Sequence, residues 1–320
     1  WIYAKGVENF TGMTNLPQDL RSELSTKFSI RLPEIIHAQH SADGTTKYAL
    51  RMGNETIETV HMPEEKRDTV CISSQAGCSF GCKFCVTARM NLRRHLTAGE
   101  IVGQVLLVLK QHGRSRRLNI VFMGMGEPLH NYDQVMKAFR IMTHPDGLAI
   151  SSRRITVSTV GFLPALQRLN QEKVIPNLAV SLNAPNNDLR DELMPINKMY
   201  PIEMLMKELS ELPLRHRQRI TFEYVLLKGI NDSRQHAEQL LKVPIPIRSK
   251  INLIPFNPDS HLPYQRPDEE TISAFAGILA SGGRTVAVRR SRGRDISAAC
   301  GQLGTQLIDP SRVPLALTRI

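Results

Sequence analysis

Cysteines mark the first place in this 320-residue chain where residue types and spacing could do chemistry, because four of the five lie between Cys71 and Cys85. Three of them, Cys78, Cys82 and Cys85, form a C-x3-C-x2-C pattern shortly after a strand-like run. Three thiolates on one loop can bind three irons of a four-iron cubane and leave the fourth iron open to a substrate. The spacing therefore predicts an iron–sulfur cluster that takes part in a reaction.

Two further interpretations of the three cysteines stay open from the residues alone. A structural zinc site has four protein ligands, so it would need Cys71 or His95 in addition. The thiols could also be buried separately, which is the usual state of a free cysteine. The cluster is favoured because the three thiols are closely spaced in an alternating strand and helix pattern.

A second motif, Gly124-Met-Gly-Glu-Pro128, follows the next strand-like run. Its glycines let the backbone approach a ligand closely, and the carboxylate of Glu127 can bind an ammonium group. The less favoured alternative is a glycine-rich turn with a solvated Glu. Further polar positions follow the later runs: Ser158, Ser181, Asn183 and Asn257. Because reactive groups of βα barrels collect at the carboxyl ends of the strands, these positions predict one ligand pocket.

The elements that must position these residues are predicted from alternating strand-like and helix-like segments. Apolar, β-rich runs occupy 69–74, 118–123, 154–159, 177–182, 219–226, 250–254 and 284–288. Thr97 and Glu100 form a capping box that opens one intervening helix, and Asn131 is expected to cap the next. Alternation with short connections predicts a parallel sheet. We expect an α/β fold, a partial open βα barrel of about six parallel strands at 66–303, followed by a tail at 304–320.

Residues 1–65 are predicted to form a small α+β accessory module ahead of the barrel. A short helix is expected at 17–27, and strands at 47–52 and 56–62 are joined by Gly53-Asn54, a strong hairpin signal. Because the chain begins at Trp1 and not at Met, we expect this module to lack part of its N-terminus.

The charge balance favours a polyanionic partner. Lys and Arg number 41 against 30 Asp and Glu, which gives a formal net charge of +11 and a pI near 9.6. The excess is clustered in two arginine groups: Arg114, Arg116 and Arg117, and then Arg284, Arg289, Arg290, Arg292 and Arg294. Clustered arginines neutralise phosphates, so nucleic acid is the expected partner, with simple solubility as the alternative.

No apolar run of about 18 residues and no signal-peptide pattern is visible, and the odd cysteine count is atypical of a secreted disulfide framework. We expect a cytoplasmic monomer that does not enter a membrane.

Four motifs occur in order along the chain, and together they carry a resemblance. They are Thr69–Cys78, Met123–Pro128, Met194–Asn197 and Ala298–Leu303. The cysteine spacing matches the radical S-adenosylmethionine (SAM) superfamily, and the four motifs resemble the RlmN/Cfr family of RNA methyltransferases within it. The resemblance covers nearly the whole chain, from Trp1 to about Leu303. One departure is Asn183, where family members usually carry His.

The resemblance implies one 4Fe-4S cluster on Cys78, Cys82 and Cys85. It also implies two SAM molecules per turnover and an external electron donor such as flavodoxin or ferredoxin. SAM contacts would be made by Gly126, Glu127, Ser158, Ser181, Leu182, Asn183 and Asn257. By the same resemblance, Cys300 becomes S-methylated, Cys71 forms a transient disulfide with it, and Glu58 accepts a proton. From the sequence alone, Glu58 is expected to be a surface residue on a strand edge.

The implied activity is methylation of adenine C2, at adenine 2503 of 23S ribosomal RNA and at adenine 37 of transfer RNA, through an S-methylcysteine. Recognition would use Arg114, Arg116, Arg117, Arg289, Arg290, Arg292 and Arg294 for RNA phosphates. A Cfr-type enzyme that methylates adenine C8 is a competing candidate, although that branch tends to carry Ala where this chain has Pro128. A radical lyase or sulfur-inserting enzyme is a second competitor, and a non-catalytic basic RNA-binding protein with a structural metal is a third.

Overall fold

The computed structural model describes residues 1–114 and 117–304. Arg116 and residues 305–320 of the predicted tail lie outside the described residues. Within these ranges, ten strands form one sheet, and two further short strands form a separate pair.

The N-terminal part contributes two helices and three antiparallel strands. They are α1 (Ile2–Lys5), α2 (Gln18–Lys27), β1 (Glu34–His40), β2 (Thr46–Met52) and β3 (Glu55–Glu64). The predicted hairpin is confirmed, since β2 and β3 pair around Gly53, whose φ of 63° suits glycine. Strand β1 was absent from the sequence prediction. It lies at the end of the sheet with most side chains exposed or half-buried, so it lacks an alternating pattern.

The parallel strands follow the seven runs predicted from the sequence. They are β4 (Arg67–Cys71), β7 (Leu118–Phe122), β8 (Ile155–Thr159), β9 (Asn177–Ser181), β10 (Ile220–Leu226), β11 (Ser249–Pro255) and β12 (Val286–Val288), with the short pair β5 (Gln75–Ala76) and β6 (Arg94–His95) between the first two. Across the described sheet the order is β1-β2-β3-β4-β7-β8-β9-β10-β11-β12, so its two ends do not meet. The predicted open βα barrel is confirmed, with seven parallel strands, the last only three residues long.

Helices connect the strands and cover the sheet: α3 (Ala98–His112), α4 (Tyr132–Thr143), α5 (Leu163–Leu169), α6 (Asn187–Leu193), α7 (Ile202–Ser210), α8 (Arg234–Lys242) and α9 (Glu269–Ser281). The capping box of α3 is confirmed, because Glu100 N donates to Thr97 Oγ1 and Thr97 N donates to Glu100 Oε2. Asn131 stands at the predicted N-cap position of α4, but its side chain makes no capping hydrogen bond. It donates instead from its side-chain amide to the carbonyls of Ser74 and Leu96, which joins the segment between β4 and β5 to the region before α3.

The core lies between the sheet and these helices and is mostly aliphatic. Val70, Ile120, Ile155 and Val157 from the parallel strands are fully buried in one cluster with Ile101 of α3. Among the described residues, no helix combines the length and the apolar character needed to cross a membrane.

The sheet continues across the predicted module boundary at 65/66. Strand β3 pairs with β4 in an antiparallel register that runs from Val60 opposite Cys71 to Glu64 opposite Arg67. The first three strands therefore extend the same sheet that carries the barrel.

Candidate cofactor site and cysteine pair

A cavity opens at the carboxyl ends of the parallel strands, where the sequence predicts a ligand pocket. It encloses about 1060 Å³ of space free of atoms, a volume that includes open solvent at its mouth. The predicted residues that line it are Cys78, Cys82, Cys85, Gly126, Glu127, Ser158, Ser181, Asn183 and Asn257. Leu182 does not line this cavity, because its side chain is fully buried in the core.

The loop that carries the three cysteines is held by hydrogen bonds to distant segments. Lys83 N donates to the carbonyl of Leu193 at 3.0 Å, and Val86 N donates to the carbonyl of Gly301 at 2.8 Å. The loop begins at Gly77, whose φ is 76° and where a Cβ would lie 1.7 Å from the carbonyl oxygen of Asn91. The cysteines are therefore fixed against α6 and against the segment that contains Cys300.

The chemistry of the three thiols fits an iron–sulfur cluster. Burial raises the pKa of the Cys78 thiol to about 12 and the pKa of Cys82 well above its usual range. Buried thiols become thiolates when metal ions replace their protons. No group of three His, Cys, Asp or Glu side chains in the described ranges is arranged around a single metal ion. A cubane needs no such arrangement, because each of its cysteines binds a different iron.

The fourth ligand that a structural zinc would need is not brought to this loop. Cys71 lines a different cavity, and His95 Nδ1 lies 3.0 Å from the side-chain amide of Gln75. The zinc interpretation therefore has no support from the structure.

Glu127 is a buried carboxylate on the wall of the larger cavity. Its Oε2 accepts a hydrogen bond from Val160 N at 2.9 Å, and its Oε1 accepts one from Leu129 N at 3.0 Å. Burial raises the pKa of this carboxyl to about 7. Among the described residues it has no basic side chain within 4 Å. A ligand cation such as the ammonium of SAM would supply the missing charge.

Asn257 presents a second polar group that fits a bound ligand. Its side-chain nitrogen donates to the carbonyl of Cys300 at 3.2 Å, whereas its side-chain oxygen is buried without a hydrogen-bond partner. A ligand hydroxyl, such as those of a ribose, would satisfy that oxygen.

Asn183, which replaces the His usual in the family, uses its side chain for structure. Its Oδ1 accepts from Val225 N at 2.8 Å, and its Nδ2 donates to Met194 Sδ at 3.2 Å. The residue adopts a φ of 58°, a conformation that Asn and His both tolerate better than most residues. Asn183 therefore joins the end of β9 to β10 while its remaining surface lines the cavity.

A smaller cavity of about 350 Å³ brings together the other two cysteines, Cys71 and Cys300. Cys300 and Arg289 line this cavity and the larger one, so they connect the two spaces. Burial raises the pKa of the Cys71 thiol to about 12, and Arg289 opposes that shift. Arg289, predicted as an RNA contact, thus faces the two thiols.

The segment 293–304, which we call the C-terminal loop, holds Cys300 and is anchored on β2 and β3. Lys47 and Glu58 form an ion pair at 3.2 Å, and both side chains are only 1% exposed. Lys47 Nζ donates to the carbonyl of Ser297, and Glu58 Oε2 accepts from Gly304 N at 2.6 Å. The expectation of an exposed Glu58 is wrong, because β3 lies between two strands and the C-terminal loop covers it.

Sequence reasoning missed a buried arginine beside the larger cavity. Arg190 is 1% exposed, and its guanidinium donates to the carbonyls of Val160 and Ser181 and to Asn197 Oδ1, at 2.8, 3.1 and 2.8 Å. It thereby fixes the ends of β8 and β9 where they line the cavity. The signal for it was the motif Met194–Asn197, whose Asn binds the arginine directly.

The two predicted arginine groups lie at opposite ends of the parallel strands, apart from Arg284, which precedes β12 and lies at the end of the first group. Arg114 and Arg117 are exposed just before β7, whereas Arg290 and Arg294 are exposed after β12. Arg292 is half-buried and donates to the carbonyl of Pro63 at 2.6 Å. The structure therefore does not join the predicted phosphate contacts into one surface.

An open βα barrel whose first parallel strand leads into a three-cysteine loop, with a cavity at the strand ends, defines a radical SAM protein. The sequence profile of the radical SAM superfamily matches residues 72–241, and that of the ribosomal RNA large subunit methyltransferase N-terminal domain matches residues 1–30.

Curated relatives carry the identification further. The dual-specificity RNA methyltransferase RlmN of Syntrophobacter fumaroxidans is 48% identical over 305 residues, covering 94% of this chain and 89% of its own. The protein of that name from Campylobacter jejuni is 46% identical and covers 95% and 90%. A radical SAM methyltransferase from Sphaerobacter thermophilus has a crystal structure that superposes with a TM-score of 0.88 at 43% identity, covering 95% and 91%. The chain therefore belongs to the RlmN family of radical SAM methyltransferases.

Proposed function

We propose that this protein methylates C2 of an adenosine in 23S ribosomal RNA, at adenine 2503, and in transfer RNA, at adenine 37. The observation that carries the proposal is the position of Cys300, which lines both the cavity of the three-cysteine loop and the cavity of Cys71. A thiol that carries a methyl group must face the cofactor when it receives that group and a second thiol when it gives the group up. The names of the relatives support RNA as the substrate.

Residues of the chain would hold the cofactors as follows. Cys78, Cys82 and Cys85 bind one 4Fe-4S cluster, and Glu127 and Asn257 bind SAM through its ammonium and a hydroxyl. Ser158, Ser181, Asn183 and Gly126 complete the SAM contacts by family resemblance, whereas Leu182 is withdrawn because it does not line the cavity. When bound, the cluster and two SAM molecules supply the methyl group, the radical and the electron path. An external donor such as flavodoxin or ferredoxin delivers the electron.

Cys300 accepts a methyl group on its sulfur, in the space that it shares with Arg289. The S-methyl group would give one hydrogen atom to the radical that the cluster and SAM supply, and its carbon would bond to adenine C2. The unpaired electron of that adduct would pass to the cluster, and the C2 hydrogen would leave as a proton, for which the family resemblance names Glu58 as acceptor. Attack of Cys71 sulfur on Cys300 sulfur would break the carbon–sulfur bond and leave a disulfide, and a proton from solvent would complete the new methyl group. Two electrons and two protons from a reductant would then restore both thiols, which suits a reducing cytoplasm.

Methylation of C8, the Cfr-type reaction, is the second candidate. Pro128, which favours C2, is buried at the start of the short helix after Glu127, next to the cavity. Position 128 therefore lies where it can shape the space beside the cofactor.

Isotope labelling of the RNA distinguishes the two carbons. The reconstituted protein is incubated anaerobically with SAM, a reductant and transfer RNA that carries deuterium at either C2 or C8 of adenine. We expect loss of deuterium from C2 and its retention at C8, read by mass spectrometry of the nucleosides. The variant Cys300→Ala serves as the matched control and should form no methylated adenosine. Loss of label from C8 alone would overturn the assignment.

A further inference from the structure

The parallel strands begin at the end of the barrel opposite the cavity, and the segments that lead into them are rich in arginine. The connections 144–154, 211–219 and 243–248 precede β8, β10 and β11 and contain six arginines against two acidic residues, Asp146 and Glu211. Six arginines at this end define what we call the basal surface: Arg114, Arg153, Arg154, Arg217, Arg219 and Arg248. Five of them are exposed, and Arg154 is half-buried.

The basal surface is continuous because hydrogen bonds join its segments to one another. These bonds run from Arg114 to the carbonyl of Leu148, from Asn177 to the carbonyl of Arg153 (2.8 Å), from Arg248 to the carbonyl of Leu214 (3.5 Å) and from Ile220 to the carbonyl of Arg248 (3.0 Å), and the guanidinium of Arg215 donates to Ser152 Oγ, which joins the segment before β8 to the segment before β10. The arginines thus lie side by side along one edge of the sheet.

The arginines of the basal surface have no ion-pair partners in the described part of the chain. Arginines on or just before the outer helices differ in this respect. Arg140, Arg168, Arg234 and Arg266 each contact a carboxylate, namely Glu172, Asp133, Glu238 and Glu269. Six guanidinium groups without a carboxylate within 4 Å create a positive potential that attracts a polyanion.

We propose that the basal surface binds the phosphate backbone of a second segment of the RNA substrate, away from the adenosine in the cavity. The inference rests on RNA being the substrate, as proposed above. Guanidinium groups bind phosphates with paired hydrogen bonds, and such contacts add affinity without reading sequence. A row of arginines along one edge suits a backbone with repeated phosphates better than it suits scattered acidic side chains of a protein.

The distance between the two ends explains why a second segment is needed. Strand β10 has seven residues, and a strand rises about 3.3 Å per residue, so the basal surface lies about 20 Å from the cavity. A nucleotide in the cavity cannot reach it directly. A folded RNA that extends past the barrel can contact the cavity and the basal surface together. The affinity of the protein would then depend on the fold of the RNA.

The experiment compares two quadruple variants of the cluster-loaded protein. The test variant carries Arg153→Ala, Arg217→Ala, Arg219→Ala and Arg248→Ala, and the matched control carries Arg140→Ala, Arg168→Ala, Arg234→Ala and Arg266→Ala. Both lose the same charge, so net charge alone cannot separate them. Binding of transcribed transfer RNA is measured between 50 and 300 mM salt, with iron content and melting temperature as folding checks.

We expect the test variant to bind transfer RNA about 30-fold more weakly at 0.1 M salt, with a salt slope smaller by about four, whereas the control stays near wild type. In the methylation assay, KM for RNA should rise with kcat unchanged. An equal loss of RNA affinity in both variants, or no loss of RNA affinity in the test variant, would overturn the inference. If the test variant binds RNA more weakly while the wild type removes deuterium from C8, the proposed function fails and this inference stands.

Discussion

Two buried polar groups in the larger cavity lack the partners that burial requires. Glu127 has no basic side chain within 4 Å among the described residues, and the side-chain oxygen of Asn257 has no donor. An unsatisfied buried oxygen such as that of Asn257 costs about 1–3 kcal/mol. The oxygens of Glu127 accept backbone hydrogen bonds, but its buried charge lacks a counter-charge, which is also unfavourable. A ligand that offers a cation and a hydroxyl would remove both costs, and SAM offers both.

Replacing Glu127 by Gln should weaken SAM binding by about tenfold or more, since a hydrogen bond to a charged group contributes about 1.5–3 kcal/mol. Equilibrium dialysis with radiolabelled SAM on the cluster-loaded protein measures this loss. Glu192→Gln, an exposed change on α6, is the control and should leave the affinity unchanged. Wild-type affinity in Glu127→Gln would contradict the assignment of Glu127 to the ammonium.

The pH dependence of SAM binding follows from the same carboxyl. Its pKa of about 7 lies above the usual value of 4.5, so below pH 7 the group is mostly protonated and carries no charge to attract an ammonium. Affinity should therefore fall as pH decreases from 8 to 6, as measured by the same dialysis. This fall should be absent in Glu127→Gln, and a fall of equal size in that variant would assign it to another group.

At the scale of elements, the C-terminal loop depends on a buried ion pair for its position. Lys47 and Glu58 bind it on either side of Cys300, through the carbonyl of Ser297 and the N–H of Gly304. Removing one partner of a buried pair costs about 3–5 kcal/mol, whereas removing both charges is often close to neutral. The pair therefore sets where Cys300 sits more than how stable the protein is.

The double variant Lys47→Met with Glu58→Gln should loosen the C-terminal loop without unfolding the barrel. We expect alkylation of Cys300 by iodoacetamide to become several-fold faster, while KM for SAM and the iron content stay unchanged. Lys242→Met, an exposed change in α8, is the control. Peptide mass spectrometry gives the alkylation rates, and an unchanged rate at Cys300 in the folded double variant would refute this role.

What the sequence could predict is local. The cysteine spacing, the capping box at Thr97 and the seven strand-like runs all depend on neighbours within a few residues, and the structure has each of them. Lys47 could not be predicted as buried, because its partner carbonyl lies 250 residues away. Arg190 was missed for a similar reason, since charged residues are rarely buried and its four acceptors come from three separate segments.

At the scale of the whole molecule, the first three strands and the barrel share more than a sheet. Besides the pairing of β3 with β4, the loop after β1 contacts the C-terminal loop, where Ser41 Oγ donates to Asp295 Oδ1 at 2.6 Å and Gly293 N donates to Asp43 Oδ2 at 3.0 Å. The N-terminal strands are thus joined to the barrel in two places, by the pairing of β3 with β4 and by the contacts with the C-terminal loop. An accessory module connected by a linker alone would lack such contacts.

We therefore propose that residues 34–304 unfold as one cooperative unit. Ile57 in β3 is fully buried, so Ile57→Ala should cost about 2–5 kcal/mol. In native-state hydrogen exchange, this change should lower the protection of β2 and of β7 by the same free energy, because both strands then open only through global unfolding. Leu20→Ala, on the mostly exposed helix α2, should lower neither. Loss of protection confined to β1, β2 and β3 would instead support an independent module at 1–65, because the barrel would then keep its stability while those strands open.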